Sequence, residues 1–279
     1  MDTQTTPIIT AILTPEGLRP TAYQARSLKE AARYEPQGVY TVTRTFQRTS
    51  ALSLTAHLDR LEESARLKGQ PLQLNRAALR KALRQLLEEA GYAEARFRIT
   101  VPTAQPDTIY FAIEPLNGIL PEQRAHGVRV QSFPVQRPNP RAKDTVWMIM
   151  RAELQAQMGD GIQEGLLTSP DGLILEGLAS NFYGILDGEL RTAAAGILHG
   201  ISRCIVLEVA PEILPVREEP VALADVPRLS EAFMTSSSRG VVPIVEIDGQ
   251  PVNGGQPGPL TRALAARYDQ WTETHLEPI

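Results

Sequence analysis

The chain has 279 residues, 42% of them hydrophobic and 22% charged, with a formal net charge of -4 and an isoelectric point near 5.7. That balance supplies ample apolar material for a core and leaves no basic excess with which to hold nucleic acid. Apolar runs stay short of the roughly 20 residues of a membrane helix, and the start, MDTQTTPIITAILTPEGLRP, has no basic stretch ahead of its apolar patch, so no membrane association and a cytoplasmic location are expected.

In chain order, PIITAIL and GVYTVTRTFQ carry the β-branched and aromatic residues of strands. SLTAHLDRLEESARLKG then sets Leu54, Leu58, Leu61 and Ala65 on one helical stripe and stops at Gly69. A second helix, RAALRKALRQLLEEAGY, is expected after Asn75 as N-cap and ends near Gly91. Two strands follow, ARFRITV and TIYFAIEPL. PLNGILPEQRAHG concentrates proline and glycine without periodicity, so a linker is expected over 118–126, between a domain of 1–117 and a larger one of 127–279.

Beyond it, VRVQSFPV reads as a strand and the segment after Lys143 as a helix to about Gly159. Two hairpins are expected, turning at Asp171-Gly172 and at Asp187-Gly188. A helix after Ser202 leads to the strand pair around TSSSRG and to a last helix in GPLTRALAARYDQWTETHL. The pattern as a whole is α+β in two unequal units.

Several residues stand out chemically. Of 28 cationic residues only Lys29, Lys68, Lys81 and Lys143 are lysines, and Lys143 alone lies beyond residue 81, between a proline-rich loop and an apolar run. Arginine stays protonated in proteins, whereas lysine can supply a neutral amine for covalent chemistry. GILHGISR places a glycine and a serine at a helix start, where free backbone N–H groups and the helix dipole favour an anion. An ordinary N-cap is the plainer reading of that stretch. Thr235-Ser236-Ser237-Ser238-Arg239-Gly240 is a second hydroxyl cluster at a strand end, able to expose hydroxyls and N–H groups as anion nests do, or to serve simply as a polar loop. Arg60 flanks the buried stripe of its helix, and Glu176 stands between GLIL and a glycine. The lone Cys204 excludes an intrachain disulfide and is expected to be buried, and four scattered histidines give no metal-ligand spacing. These parts suit a phosphorylated cofactor held by a lysine.

The run EGLASNFYGILDGELRTAAAGILHGISRCIVLEVA, with VYTVTRTF, HLDRLEESA, Lys143 and FMTSSSRGVVPIVEIDG, resembles the class IV, fold type IV pyridoxal-phosphate enzymes over most of 36–265. That group comprises branched-chain and D-amino-acid aminotransferases and aminodeoxychorismate lyases. The resemblance implies a small N-terminal α/β domain, a larger barrel-like C-terminal domain with the site between them, and a homodimer. It implies pyridoxal 5'-phosphate as cofactor, with Lys143 as Schiff-base lysine and proton shuttle and Glu176 facing the pyridine nitrogen. Leu198 would pack on the ring, and Arg60, the backbone of Ile201 and Ser202, and Ser237 and Ser238 would grip the phosphate. Tyr40, Arg44, Arg98 and Arg239 are the candidates for substrate contacts, the arginines as clamps for a carboxylate. The activity implied is ping-pong transfer of an amino group between a branched-chain or D-amino acid and a 2-oxo acid; the alternative is a lyase of the aminodeoxychorismate type that releases pyruvate. Branched-chain enzymes carry a tyrosine where this chain has Met148, and the loop VPTAQPDT lacks the arginine and histidine of D-amino-acid enzymes.

Overall fold

A computed structural model of the chain describes residues 7–116 and 119–279. They form two compact units, one of 7–116, 142–148 and 275–279, the other of 119–141 and 149–274. The expected break at 117/118 lies outside the described residues. Residues 142–148 and 275–279 depart from the expected single domain of 127–279, because each adds to the first unit through pairings that no local pattern announces.

The first unit is a sheet with two long helices. Its strands are β1 (Ile9–Thr14), β2 (Gly17–Pro20), β3 (Gly38–Phe46), β4 (Ser50–Leu52), β5 (Ala95–Pro102) and β6 (Ile109–Pro115), and the C-terminal strand Leu276–Pro278 pairs with β4. A short helix α1 (Leu28–Ala31) precedes β3. The helices α2 (Leu54–Leu67) and α3 (Arg76–Ala90) cover one face. Alternation decides what that face buries: Phe97, Ile99 and Val101 of β5 meet Leu54, Leu58 and Leu61 of α2 and Leu79, Leu83 and Leu86 of α3 in one cluster. Asn75 caps α3 by accepting from Ala78 N at 3.1 Å, and Gly91 ends it at φ 64°, as expected.

In the second unit, α4 (Ile119–His126) occupies the stretch expected to be a linker. Pro121 stands in the first turn, where a helix needs no N–H, so it does not prevent the helix. The strands β7 (Val128–Phe133), β8 (Glu164–Thr168), β9 (Leu173–Gly177), β10 (Asn181–Leu186) and β11 (Glu189–Arg191) follow; α5 (Thr145–Gln155), after β7, starts in the 142–148 segment of the first unit and continues in this one. Both hairpins form, with Gly172 at φ 74° and Asp187 and Gly188 at φ 52° and 79°. Then come α6 (Ile201–Val209), the short strands β12 (Val216–Arg217) and β13 (Val221–Ala222), β14 (Glu231–Ser236), β15 (Gly240–Ile247), the short β16 (Gln250–Pro251) and α7 (Pro259–Thr274).

The sheet of this unit closes on itself. β10, β14, β15, β7, β8 and β9 pair in turn, and the pair Glu176↔Asn181 returns β9 to β10. Val130, Leu166, Ile174, Phe182, Met234 and Val242, one from each strand, pack in one core cluster. This barrel-like sheet carries the second group of candidate residues.

Candidate active site

In the first unit Lys143 is held by its backbone. Its N–H donates to Ser64 Oγ of α2 at 3.0 Å, and its carbonyl accepts from Tyr40 N of β3 at 3.0 Å. Of its neighbours, Asp144 bridges Val39, and Thr145 Oγ1 accepts from Gly38 N at 2.9 Å, so 143–145 rides along the start of β3. Asp144 engages Lys68 Nζ at 2.8 Å and caps α5 by accepting from Trp147 N. The amine of Lys143 lies 4.9 Å from the centre of the Tyr40 ring, whose hydroxyl is buried with no hydrogen-bond partner among the described residues.

Arg60 follows from the same helix. Its Nη2 donates to Thr41 Oγ1 at 3.1 Å and lies 3.3 Å from His57 Nδ1, itself 2.7 Å from Thr41 Oγ1. His57 is fully buried, and burial first, then the charges of Arg60 and Lys143, hold its imidazole well below the usual range. It is therefore neutral at pH 7. In the sequence His57 is only one of four scattered histidines; its spacing of three from Arg60 on a helix is the available signal.

Two of the four substrate candidates are committed elsewhere. Arg98 is 3% exposed and forms a bidentate pair with the fully buried Glu35, Nε to Oε2 at 3.0 Å and Nη2 to Oε1 at 2.5 Å, while Nη1 donates to Leu28 O. Arg239 pairs with the buried Glu164 at 2.5 Å and donates to Ser236 Oγ at 3.1 Å. Arg98 departs from the expected carboxylate clamp, since its bidentate edge is taken by Glu35 and its Nη1 by Leu28 O; Arg239 gives one Nη2 bond to Glu164 and its Nε to Ser236, so a single edge of its guanidinium is engaged. Arg44 lies over the Phe46 ring at 4.2 Å and 3.7 Å from Glu94, partly exposed.

In the second unit the barrel closure organises the site. Glu176 and Asn181, the closing pair, both reach Leu198: Leu198 N donates to Glu176 Oε2 at 2.9 Å, and Asn181 Nδ2 donates to Leu198 O at 2.8 Å. Glu176 is 3% exposed, with Arg137 Nη1 at 3.9 Å from its other oxygen. Arg137, also buried, has no local signal in the sequence, where it is one arginine among 24. Two residues beyond Leu198, Gly200 caps α6 without a side-chain bond, and the N–H groups of Ile201, Ser202 and Arg203 precede the first intrahelical bond, from Cys204 N to Gly200 O. A Cβ at Gly200 would collide with Asn181 Oδ1, so the close approach of the chain requires glycine there.

Ser202 is buried and its Oγ lies 2.8 Å from Tyr268 Oη. Ser237 and Ser238 are half-buried at the tip of the β14–β15 hairpin. Cys204 is exposed, contrary to expectation: α6 buries Ser202, Ile205, Val206 and Val209, and residue 204 falls on the opposite side of that face. No cluster of metal-ligating residues occurs among the described residues. No helix there is long and apolar enough to cross a membrane.

An amine beside an unpartnered buried phenol, a buried carboxylate, and a glycine-tight helix start with unspent N–H groups are the chemical set that pyridoxal phosphate requires. The closed barrel-like sheet and these groups, in their separate units, are of the kind found in the barrel-containing pyridoxal-phosphate enzymes. The sequence profile described as amino-transferase class IV matches residues 38–247, and the chain belongs to this family. It is a pyridoxal-phosphate-dependent transaminase. A Methanocaldococcus jannaschii protein provisionally named a branched-chain-amino-acid aminotransferase is 29% identical over 232 residues, 77% of this chain and 80% of its own. A Bacillus licheniformis D-alanine aminotransferase is 28% identical over 250 residues, covering 81% and 84%. A solved T.th. branched-chain amino acid aminotransferase with pyridoxamine 5'-phosphate shares the fold at a TM-score of 0.81 over 99% of each chain, at 19% identity.

Proposed function

We propose that this transaminase moves an amino group between a branched-chain or D-amino acid and a 2-oxo acid by ping-pong turnover, and that it acts as a homodimer in the cytoplasm. The observation that carries the reading is Lys143, whose backbone is locked to β3 and α2 while its amine stands beside the Tyr40 ring. The names of the full-length relatives support the two substrate classes.

When bound, the cofactor supplies an aldehyde that takes up the amino group and a ring that accepts the electron pair of the substrate Cα–H bond. Lys143 Nζ anchors that aldehyde, then acts as the base that takes the Cα proton and later as the acid that returns one. Glu176 holds a proton on the ring nitrogen, and its own position is fixed by the N–H of Leu198. Leu198 packs on the ring. Arg60, the N–H groups of Ile201 and Ser202, and the hydroxyls of Ser237 and Ser238 grip the phosphate. Tyr40 and Arg44 face the substrate. In balance, the donor exchanges an amino group and a Cα hydrogen for a carbonyl oxygen and leaves as a 2-oxo acid, and the acceptor undergoes the reverse.

Borohydride reduction of the protein incubated with pyridoxal phosphate, followed by peptide mapping, tests the anchor. Label on Lys143, together with release of one equivalent of 2-oxo acid from a donor without any acceptor, is the expected result. Label on another lysine, or continuous pyruvate release without an acceptor, refutes the reading. A screen of D- and L-amino acids against 2-oxoglutarate and pyruvate decides the substrate class.

A further inference from the structure

Ser202 poses a problem for its assigned place. Its N–H lies at the start of α6, yet its hydroxyl, in a residue 2% exposed, is directed to Tyr268 Oη at 2.8 Å. Tyr268 is itself 3% exposed and belongs to the buried stripe Thr261, Leu264, Tyr268 and Thr272 of α7. The start of α7 is tied to β14: Glu231, buried, accepts from Leu260 N at 3.0 Å and from Thr261 N at 2.7 Å. A carboxylate at a helix N-terminus is favoured by both hydrogen bonding and the dipole. Two turns along from Thr261, the Tyr268 ring reaches the far end of the β14–β15 hairpin. There Gly240, at φ 65°, would carry a Cβ 3.4 Å from Tyr268 Cε1.

One side chain thus bonds to Ser202 at the helix start and sets its ring beside Gly240 of the hairpin that bears Ser237 and Ser238. The other flank of that hairpin is braced by Arg239, which joins Ser236 to Glu164 of β8. Neither brace is visible in the sequence, since Tyr268 lies 66 residues from Ser202 and Arg239 lies 75 from Glu164.

We infer that Tyr268 is a positioning residue for the phosphate cradle: its hydroxyl fixes Ser202 at the head of α6, its ring fixes the β14–β15 hairpin at Gly240, and the two phosphate-gripping segments are thereby aligned. The inference rests on the proposed phosphate role of these segments. It also assigns the Ser202 hydroxyl proton to Tyr268 Oη as acceptor, in which arrangement the Ser202 backbone N–H is the group that faces the phosphate.

The test compares equilibrium binding of pyridoxal phosphate and of pyridoxal, which lacks the phosphate, to the full-length protein. Attachment to lysine is common to both ligands, so the ratio of their affinities isolates the cradle. Tyr268→Phe removes one hydroxyl and keeps the ring on Gly240; Ser202→Ala removes its partner and keeps the N–H. Loss of a buried hydrogen bond is expected to lower the ratio about fivefold in each variant. The double variant is expected to fall no further than either single one, because both remove the same bond. A ratio unchanged in Tyr268→Phe overturns the inference, as does an additive double variant, which would place the Ser202 hydroxyl on the phosphate independently. If Tyr268→Phe does not fold, the Ser202→Ala ratio decides: an unchanged value overturns the inference. Failure of the underlying reading has a different signature, in which the wild-type protein itself binds pyridoxal as tightly as pyridoxal phosphate.

Discussion

The pair Arg98–Glu35 separates a structural arginine from a substrate clamp in one experiment. Glu35 accepts two guanidinium bonds, at 3.0 and 2.5 Å, and one from Thr100 Oγ1 at 2.6 Å, with side-chain exposures of 3% for Arg98 and 0% for Glu35. Truncating Glu35 to alanine leaves a buried guanidinium with the Leu28 carbonyl as its remaining acceptor. Breaking a buried ion pair from one side costs about 3–5 kcal/mol. For a chain of this length each kcal/mol shifts the unfolding midpoint by about 2–4 °C, so Glu35→Ala is expected to unfold roughly 10 °C below the parent. Arg98→Ala is expected to behave similarly, because it strands the carboxylate. The double replacement Arg98→Met with Glu35→Leu removes both charges and fills the space, and is expected to regain most of the loss. Scanning calorimetry on the cofactor-loaded protein, alongside KM for the amino donor, is the assay. A KM raised about tenfold or more in Arg98→Ala with an unshifted midpoint refutes the structural assignment and restores the clamp.

Two further outcomes follow from the site. His57 stays neutral in the folded protein and gains a proton on unfolding, so the unfolded state binds more protons once the pH falls below about 6.5 and stability falls with it, by up to about 1.4 kcal/mol per unit. Chemical denaturation at pH 7 and pH 5 is expected to show a steeper loss in the parent than in His57→Gln; parallel losses refute the burial argument. Gly200→Ala drives a Cβ into Asn181 Oδ1 at an ordinary backbone φ of -69°, so only the clash acts. It is expected to weaken pyridoxal-phosphate binding about tenfold, corresponding to about 1.4 kcal/mol, and fluorescence titration showing parental affinity would contradict the tight packing of Leu198–Ile201 on the barrel closure.

Local chemistry made much of the protein legible. The stripe Leu54, Leu58, Leu61 and Ala65 becomes the buried face of α2, the Asn75 and Gly91 signals bound α3, and the two Asp-Gly turns form their hairpins. Those features are set by side-chain period and by which residues tolerate a left-handed backbone, both properties of a few adjacent residues. The rationing of lysine isolates Lys143 for the same reason: it is a matter of composition.

What a residue touches across the fold was decided only by the tertiary structure. Arginine at 98 and at 239 reads as a free cation until Glu35, 63 residues away, and Glu164, 75 away, are brought against it. The serine of GILHGISR reads equally as an anion ligand or a plain N-cap, and only the fold sets Tyr268 Oη 2.8 Å from its hydroxyl; Cys204 reads as core until the face of α6 is fixed. Composition and spacing name the groups a chain possesses. Which of them remain available for chemistry depends on how each buried polar atom finds its partner, and those partners come from strands and helices distant in sequence.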